Sequence, residues 1–457
     1  MRTNDQLAKW DRDHFFHPST PLGEFARGEA TSRIIETAEG VFIHDRDGRK
    51  LLDAFAGLYC VNVGYGRKEI AQAIAEQAHT LAYYHAYAGH GTEVSITLAQ
   101  MVMERAPAHM SKVYFGLSGS DANETNVKLL WSYHNLIGKP EKKKIISRWR
   151  GYHGSGLMTG SLTGLPLFHE TFDLPLDRVY HTVAPHYLKR PDPDMTEADF
   201  VAHCANELRA LIEREGPETI GGFVGEPMLG TGGIVPPPEG YWAAIMPILK
   251  EHGILVIADE VVCGFGRLGS MFGCDHYGIE ADFMSVAKGL TSAYAPLSGA
   301  IVSDRVFRVL MEGTDASGNA IGHGWTYSAH PIGAAAGVAN LKLVDELDLL
   351  ANTRAVGPIL VGKLAEALQH HRHVAEVRGE GLLAAVEFYA DVAQRKPFAA
   401  DQKVGPKLAA AMASRGVIAR AMPGGDILGF APPLCLTAPQ VDVIVDATLG
   451  AVRDVLG

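Results

Sequence analysis

The apolar run Ile254-Leu-Val-Ile-Ala258 ends on two carboxylates, Asp259 and Glu260, and the run Phe283-Met-Ser-Val-Ala287 ends on an amine, Lys288. A buried strand that delivers a charged group at its C-terminal end does so where open α/β sheets bind their ligands. If the two runs are neighbouring strands, an acid and an amine face one crevice. By themselves they make a buried ion pair as readily as a functional pair. A third feature, Val113-Tyr-Phe-Gly-Leu-Ser118-Gly119-Ser120-Asp121, reads as a strand, a small-residue turn and a helix start. Backbone N–H groups and the helix dipole favour a phosphate at such a turn, with Gly119 permitting close approach and Ser118 or Ser120 adding a hydroxyl. Taken alone, the same Ser-Gly-Ser is an ordinary helix cap.

These groups need elements to position them. Short apolar runs of buried-strand length recur at Lys112–Phe115, Lys144–Ser147, Gly222–Gly225, Ile254–Ala258, Phe283–Val286 and Gly299–Val302. Helical patterns such as Asp121–His134 and Tyr241–His252 lie between them. Strands alternating with helices predict an α/β fold with a mostly parallel sheet covered on both faces. That large domain is expected over residues 65–330. After His330-Pro331 the texture changes to Ala- and Leu-rich helical stretches, Ile332–Leu350 and Thr353–His371, then a strand-like Leu382–Tyr389. Residues 331–457 are therefore expected to form a smaller α+β domain. Residues 1–64, with strand candidates Val41–His44 and Lys50–Ala54, are expected to pack against it.

The chain has 457 residues, 47% hydrophobic and 20% charged, which is the composition of an ordinary globular protein with a substantial core. A formal net charge of -11 argues against a nucleic-acid surface, which needs excess Lys and Arg. Five cysteines without a C-x-x-C pair support neither a zinc ribbon nor a disulfide framework, so a reducing cytoplasm fits best. The charged, aromatic N-terminus does not resemble a signal peptide, and no apolar run reaches membrane-spanning length. No metal site is expected: the 20 histidines include no H-E-x-x-H, and His370-His371-Arg372-His373 reads as a solvated helix end.

A phosphate cup, a lysine amine and a strand-end carboxylate are together what pyridoxal phosphate requires, since a lysine forms its Schiff base and an acid keeps its pyridine nitrogen protonated. At these residues the chain resembles the class III aminotransferases, within the fold-type-I pyridoxal-phosphate enzymes. The segment from Ala258-Asp259-Glu260 to Gly264-Phe265-Gly266-Arg267, followed by Ala287-Lys288-Gly289, is similar to that class's signature. Ala56-Gly57-Leu58-Tyr59-Cys60-Val61-Asn62 and Gly151-Tyr152-His153-Gly154 resemble its ω-transaminase branch, the amine:pyruvate and β-alanine:pyruvate enzymes.

The resemblance implies Lys288 as the Schiff-base residue, Asp259 as partner of the ring nitrogen, and Gly119 and Ser120 as phosphate ligands. It implies Tyr152 on one face of the cofactor, Val261 on the other, and Glu226 as an acidic neighbour. Many members carry Gln where this chain has Leu229. Thr326 matches a residue that reaches the phosphate of a neighbouring subunit, implying a homodimer or a higher oligomer. Arg420 matches a mobile arginine that binds the substrate carboxylate. Tyr59, Tyr87 and Tyr152 match positions lining the substrate pocket, with Thr231, Ile234 and Pro423 bounding the rest. The implied activity is ping-pong transfer of an amino group from an amine or ω-amino acid to a keto acid, with pyruvate expected.

Two readings compete. Gly264-Phe-Gly266-Arg-Leu-Gly269 satisfies G-x-G-x-x-G, the fingerprint of a nicotinamide-dependent oxidoreductase, but Glu260–Cys263 separates it from the strand and no helical period follows. An aminomutase or decarboxylase of the same class uses the same cofactor residues.

Overall fold

The structure is a computed structural model describing residues 3–29 and 32–457. Its centre is a seven-stranded sheet. In spatial order the strands are Met110–Gly116, Ser298–Ser303, Phe283–Val286, Leu255–Asp259, Ile220–Gly225, Lys144–Arg148 and Val179–Thr182. Ser298–Ser303 runs antiparallel to both neighbours, and the remaining pairs are parallel. The strands Ile220–Gly225, Leu255–Asp259 and Phe283–Val286 are buried along their whole length. This is why they read as unbroken apolar runs with no alternation.

Helix Gly119–Leu136 packs on this sheet through Val127, Leu130 and Tyr133, which cluster with Ile145, Val224, Ile257 and Phe283. Helix Tyr241–Glu251 covers another part through Trp242, Ile245 and Ile248, packed with Phe223 and Val256.

Two four-stranded sheets complete the molecule. Ile35–Glu39, Phe42–Asp45 and Lys50–Asp53 form one with Val417–Ile418, whose parallel register sets Val417 beside Leu52 and Ile418 beside Asp53. Val374–Glu380, Leu383–Phe388, Ile427–Phe430 and Arg420–Ala421 form the other, antiparallel throughout. Their core joins Val41, Leu52, Leu360, Val386, Leu428 and Ile444.

The helical stretch after His330 breaks elsewhere than the sequence suggests. The helices are Pro331–Glu346 and Leu349–Leu368, so the expected boundary at 350–353 moves to Leu347–Asp348. Asp348 takes φ 46°, the left-handed conformation that Asp tolerates better than most residues. The turn lets Leu343 and Leu349 enter one core. The second helix stops three residues short of His371, and His373 bonds the Tyr389 carbonyl at 3.0 Å.

Candidate active site

Register brings the charged groups together. Asp259 pairs with Ser285 across parallel strands, so the lysine three residues further on emerges at the same sheet edge. Lys288 opens a one-turn helix with φ 27°, a strained backbone of the sort that surrounding structure must hold in place. Asp259 and Lys288 line one cavity of about 140 Å³ with Gly119, Ser120, Tyr152, Glu226 and Val261. The cavity contains most of the cofactor residues that the sequence singles out.

Asp259 is 3% exposed and heavily bonded. Its Oδ2 accepts from Asn123 Nδ2 at 2.8 Å and lies 2.8 Å from His153 Nδ1, while Oδ1 accepts from the Val261 N–H at 3.1 Å. Asn123 is fixed in turn: it donates to the His153 carbonyl at 2.9 Å and accepts from the Ser285 hydroxyl at 2.7 Å. Asn126 Nδ2 donates to that hydroxyl at 2.8 Å. The next acid, Glu260, faces elsewhere. It accepts the Gly273 and Cys274 N–H groups at 2.9 and 2.6 Å, and burial pushes it up to about 7. Two adjacent carboxylates therefore have separate roles, one at the cavity and one capping a short helix.

At the turn, Ser118 is the N-cap of helix Gly119–Leu136, with Oγ accepting the Asp121 N–H at 3.2 Å. The capping alternative thus accounts for Ser118, which does not line the cavity, whereas Gly119 and Ser120 do. A Cβ on Gly119 would stand 3.0 Å from Val261 Cγ2, so glycine is what lets the helix start approach the Val261 wall. Ser120 Oγ accepts the Ser155 N–H at 3.3 Å. Glu226 ties two walls together, accepting Tyr152 N–H at 3.1 Å and Gly230 N–H at 2.7 Å. Burial pushes its carboxyl above the ordinary value, against the pull of His153. Leu229, where the resemblance implies glutamine in many members, is fully buried and its backbone bridges to Val235.

The expected substrate residues divide. Tyr59 is buried, its ring 4.4 Å from Phe55, and Arg420 lies 5.6 Å over that Phe55 ring. Burial raises the Tyr59 phenol, with Arg420 pulling it down and Glu226 pushing it up, so both charges are near it. Thr231 is buried on the loop after Glu226. Tyr87 and Thr326 are not brought to the cavity by this chain. Tyr87 is 45% exposed beside Gly324, and Thr326 is exposed with its carbonyl accepting from Tyr83 Oη.

Asn123 carries no motif in the sequence. Its one signal is its place four residues after Gly119, on the same face of the helix. His153 was visible within Gly151-Tyr-His-Gly154 but had no assigned job. The G-x-G-x-x-G stretch lies in buried turns with no helix until Gly273–Tyr277. There Arg267 donates to Asn62 Oδ1 at 2.6 Å, a structural use unlike a dinucleotide fingerprint.

Two other places draw notice. A larger cavity, about 890 Å³, lies at the opposite ends of the parallel strands near His109, Asp282 and Arg305. These three groups are already engaged: His109 bonds the Ala281 carbonyl, and Asp282 takes Val256 N–H and Arg305. His186, Glu376 and Glu387 lie close enough to ligate a metal, but the Arg378 guanidinium already sits on both carboxylates. A cation there would face an arginine.

The residues present fit pyridoxal phosphate: a helix N-terminus opened by Gly119, a buried carboxylate held by two side chains, and an amine at the rim. The site and fold define a fold-type-I pyridoxal-phosphate enzyme. Residues 25–452 match the family model "Aminotransferase class-III". The diaminobutyrate–2-oxoglutarate transaminase of Halomonas elongata is 54% identical, with 100% of this chain and 97% of that protein covered. A chloroplastic gamma aminobutyrate transaminase 3 of Solanum lycopersicum is 39% identical, covering 92% of this chain and 80% of that one. The solved omega transaminase of Pseudomonas jessenii in complex with PMP superposes with TM-score 0.95 at 39% identity, covering 98% of each chain. A transaminase from directed evolution by ancestral reconstruction gives TM-score 0.97 at 57% identity over 99% and 98% of the two chains. The chain belongs to the class III aminotransferases. It is a pyridoxal-phosphate-dependent enzyme that transfers amino groups.

Proposed function

We propose that this aminotransferase moves the amino group of a primary amine or ω-amino acid to pyruvate, releasing alanine, with ping-pong kinetics. The observation that carries this is the group Phe55, Tyr59 and Arg420, which reaches the Lys288 and Asp259 cavity through Val262, packed with Phe55 and Tyr59, and through Glu226, whose charge acts on Tyr59. Arg420 brings one guanidinium, which suits one carboxylate. A dicarboxylic acceptor calls for a second cation, and the nearby Arg150 has all three of its nitrogens on the carbonyls of Gly232 and Gly424. Bound pyridoxal phosphate would supply an electron sink for the negative charge developing at the substrate's amine-bearing carbon. Lys288 would anchor the cofactor in the resting enzyme and, once freed, would move the proton of that amine-bearing carbon. Asp259, fixed by Asn123 and His153, holds a proton at the pyridine nitrogen. Gly119 and Ser120 hold the phosphate, and Tyr152 and Val261 bracket the ring.

Tyr59, Tyr152, Thr231, Ile234 and Pro423 bound the substrate space of one chain. Tyr87, which lies against Gly324, and Thr326, two residues further on, are both exposed and complete the site of a second copy in a homodimer. The exposed Leu58, Tyr84 and Tyr327 support burial of that face. The chain divides into residues 1–64, 65–330 and 331–457, and the pairing of Leu52 with Val417 supports joining the first part to the last.

A second reading, 2-oxoglutarate as acceptor, is favoured by the name of the Halomonas relative. Purified holoenzyme offered β-alanine, 4-aminobutyrate, 2,4-diaminobutyrate or 1-phenylethylamine with each keto acid separates the two. Alanine as the faster product supports pyruvate. Glutamate formed at the higher kcat/KM, with little alanine, overturns it.

A further inference from the structure

The loop after Glu226 is held by two guanidiniums. Arg150 donates from Nε and Nη2 to the Gly232 carbonyl at 2.8 and 2.5 Å, and from Nη1 to the Gly424 carbonyl at 3.2 Å. Arg378 donates from Nη2 to Gly233 and from Nε to Ile234, at 2.7 and 2.9 Å. Three consecutive carbonyls thus end on two guanidiniums. Gly232 is required for this approach, because a Cβ there would stand 2.0 Å from the Arg150 carbonyl oxygen.

The loop needs holding. Ile234 has φ 51°, a left-handed conformation that is a genuine outlier for a β-branched side chain and persists only where neighbours enforce it. Its side chain packs with Phe55, Tyr59, Met422 and Ile427, the same apolar cluster that underlies Arg420. Arg378 is itself anchored, its Nη1 2.8 Å from Glu387 and paired with Glu376 as well. Lys189 takes the other Glu387 oxygen at 2.7 Å. Burial pushes Glu387 up, but Arg378, His186 and Lys189 hold it at about 2, so the anchor stays ionised across any assay range.

The clamp touches only one side of the site. Arg150 lies two residues before Tyr152, the loop hangs from Glu226 through Gly230, and Gly424 belongs to the turn following Arg420. Lys288, Asp259 and Asn123 come from other strands and a helix. We propose that Arg150 and Arg378 are positioning residues that determine which amine donors this enzyme accepts, by locking Gly230–Ile234 and the Arg420 turn against the Tyr152 wall. The inference rests on the substrate side assigned under Proposed function.

The test compares holoenzymes of Arg150→Lys, Arg378→Lys and Glu376→Gln with wild type. A lysine keeps the charge but has no planar fork to span successive carbonyls. The readout is the ratio of kcat/KM for a carboxylate-bearing donor, 4-aminobutyrate, to that for 1-phenylethylamine, with whichever keto acid the wild type uses. Both lysine variants are expected to shift that ratio about tenfold, through KM more than kcat, since an ångström-scale misplacement costs that much or more. Their bound-cofactor absorbance should match wild type, and amide exchange at Gly233 and Ile234 should accelerate. Glu376→Gln, which leaves the carbonyl contacts in place, should keep the wild-type ratio. If Arg378→Lys does not fold, Arg150→Lys decides, because it touches no carboxylate. A ratio within about twofold of wild type in the folded lysine variants, even with a lowered Tm, overturns the proposal, as does an equal shift in Glu376→Gln. Wild-type enzyme that transfers no amino group to pyruvate defeats the acceptor assignment alone, leaving the variant ratios readable.

Discussion

At the scale of single residues, the proposed chemistry rests on how Asp259 is held more than on its presence. A carboxylate that is 3% exposed is costly to bury unless its oxygens are bonded, and here Asn123 and Val261 donate to it while His153 stands beside it. A hydrogen bond to a charged group contributes about 1.5–3 kcal/mol. Asn123→Ala is therefore expected to lower kcat/KM by roughly tenfold to a hundredfold, with the cofactor still bound through Lys288. Steady-state kinetics on cofactor-saturated enzyme checks this, and an unchanged kcat/KM removes Asn123 from the Asp259 support. Lys288 and Asp259 were legible because each ends a buried apolar run and must meet a ligand or a counter-charge there. Asn123 was not, because a polar residue inside an amphipathic helix looks like any exposed one until the fold shows which face it occupies. Tyr87 and Thr326 are suggested only by the family resemblance, and one chain leaves both in the open, away from the cavity.

Elements were readable where local chemistry decides them. The strand Phe283–Val286 has the limits expected from sequence, and Gly119–Leu136 extends the expected helix by a few residues at each end. The helix start is fixed by Ser118, whose Oγ caps Asp121. Ser118→Ala should lower unfolding free energy by about 1 kcal/mol. Chemical denaturation measures it, and a loss well above that figure would mean that Ser118 does more than cap. The helix pair after His330 was harder to divide, because Ala and Leu continue through the break and the deciding event is one residue, Asp348, at φ 46°. Asp348 is exposed. Asp348→Gly should leave stability unchanged or raise it slightly, whereas Asp348→Val should cost about 1 kcal/mol or more, since a branched side chain resists that conformation. Equal stability of the two variants would show that the turn does not depend on the left-handed residue.

For the whole molecule, buried polar groups decide how the fold responds to acid. Few of these could be foreseen, because a histidine in sequence carries no mark of burial. His134 is 1% exposed at the end of the Gly119 helix, its Nε2 2.9 Å from the Gly221 carbonyl, and desolvation lowers it to about 4. His181 is lowered to about 4 as well, by burial and by His169. A histidine depressed below its unfolded value near 6.5 contributes stability that is fully present above 6.5 and is lost as pH falls toward 4, because only the unfolded chain takes up the proton in that window. Glu260 works oppositely: raised to about 7, it favours the fold below its unfolded value near 4.5 and loses that contribution as pH rises to 7. A wild-type stability curve mixes these slopes, so the informative quantity is a difference. His134→Gln keeps a donor for Gly221 and removes the titration. Its unfolding free energy relative to wild type should therefore improve by up to about 3 kcal/mol between pH 7 and pH 4. Urea unfolding at half-unit pH steps provides the comparison. A gap between variant and wild type that stays constant over that range would mean that His134 is protonated as easily in the fold as in the open chain.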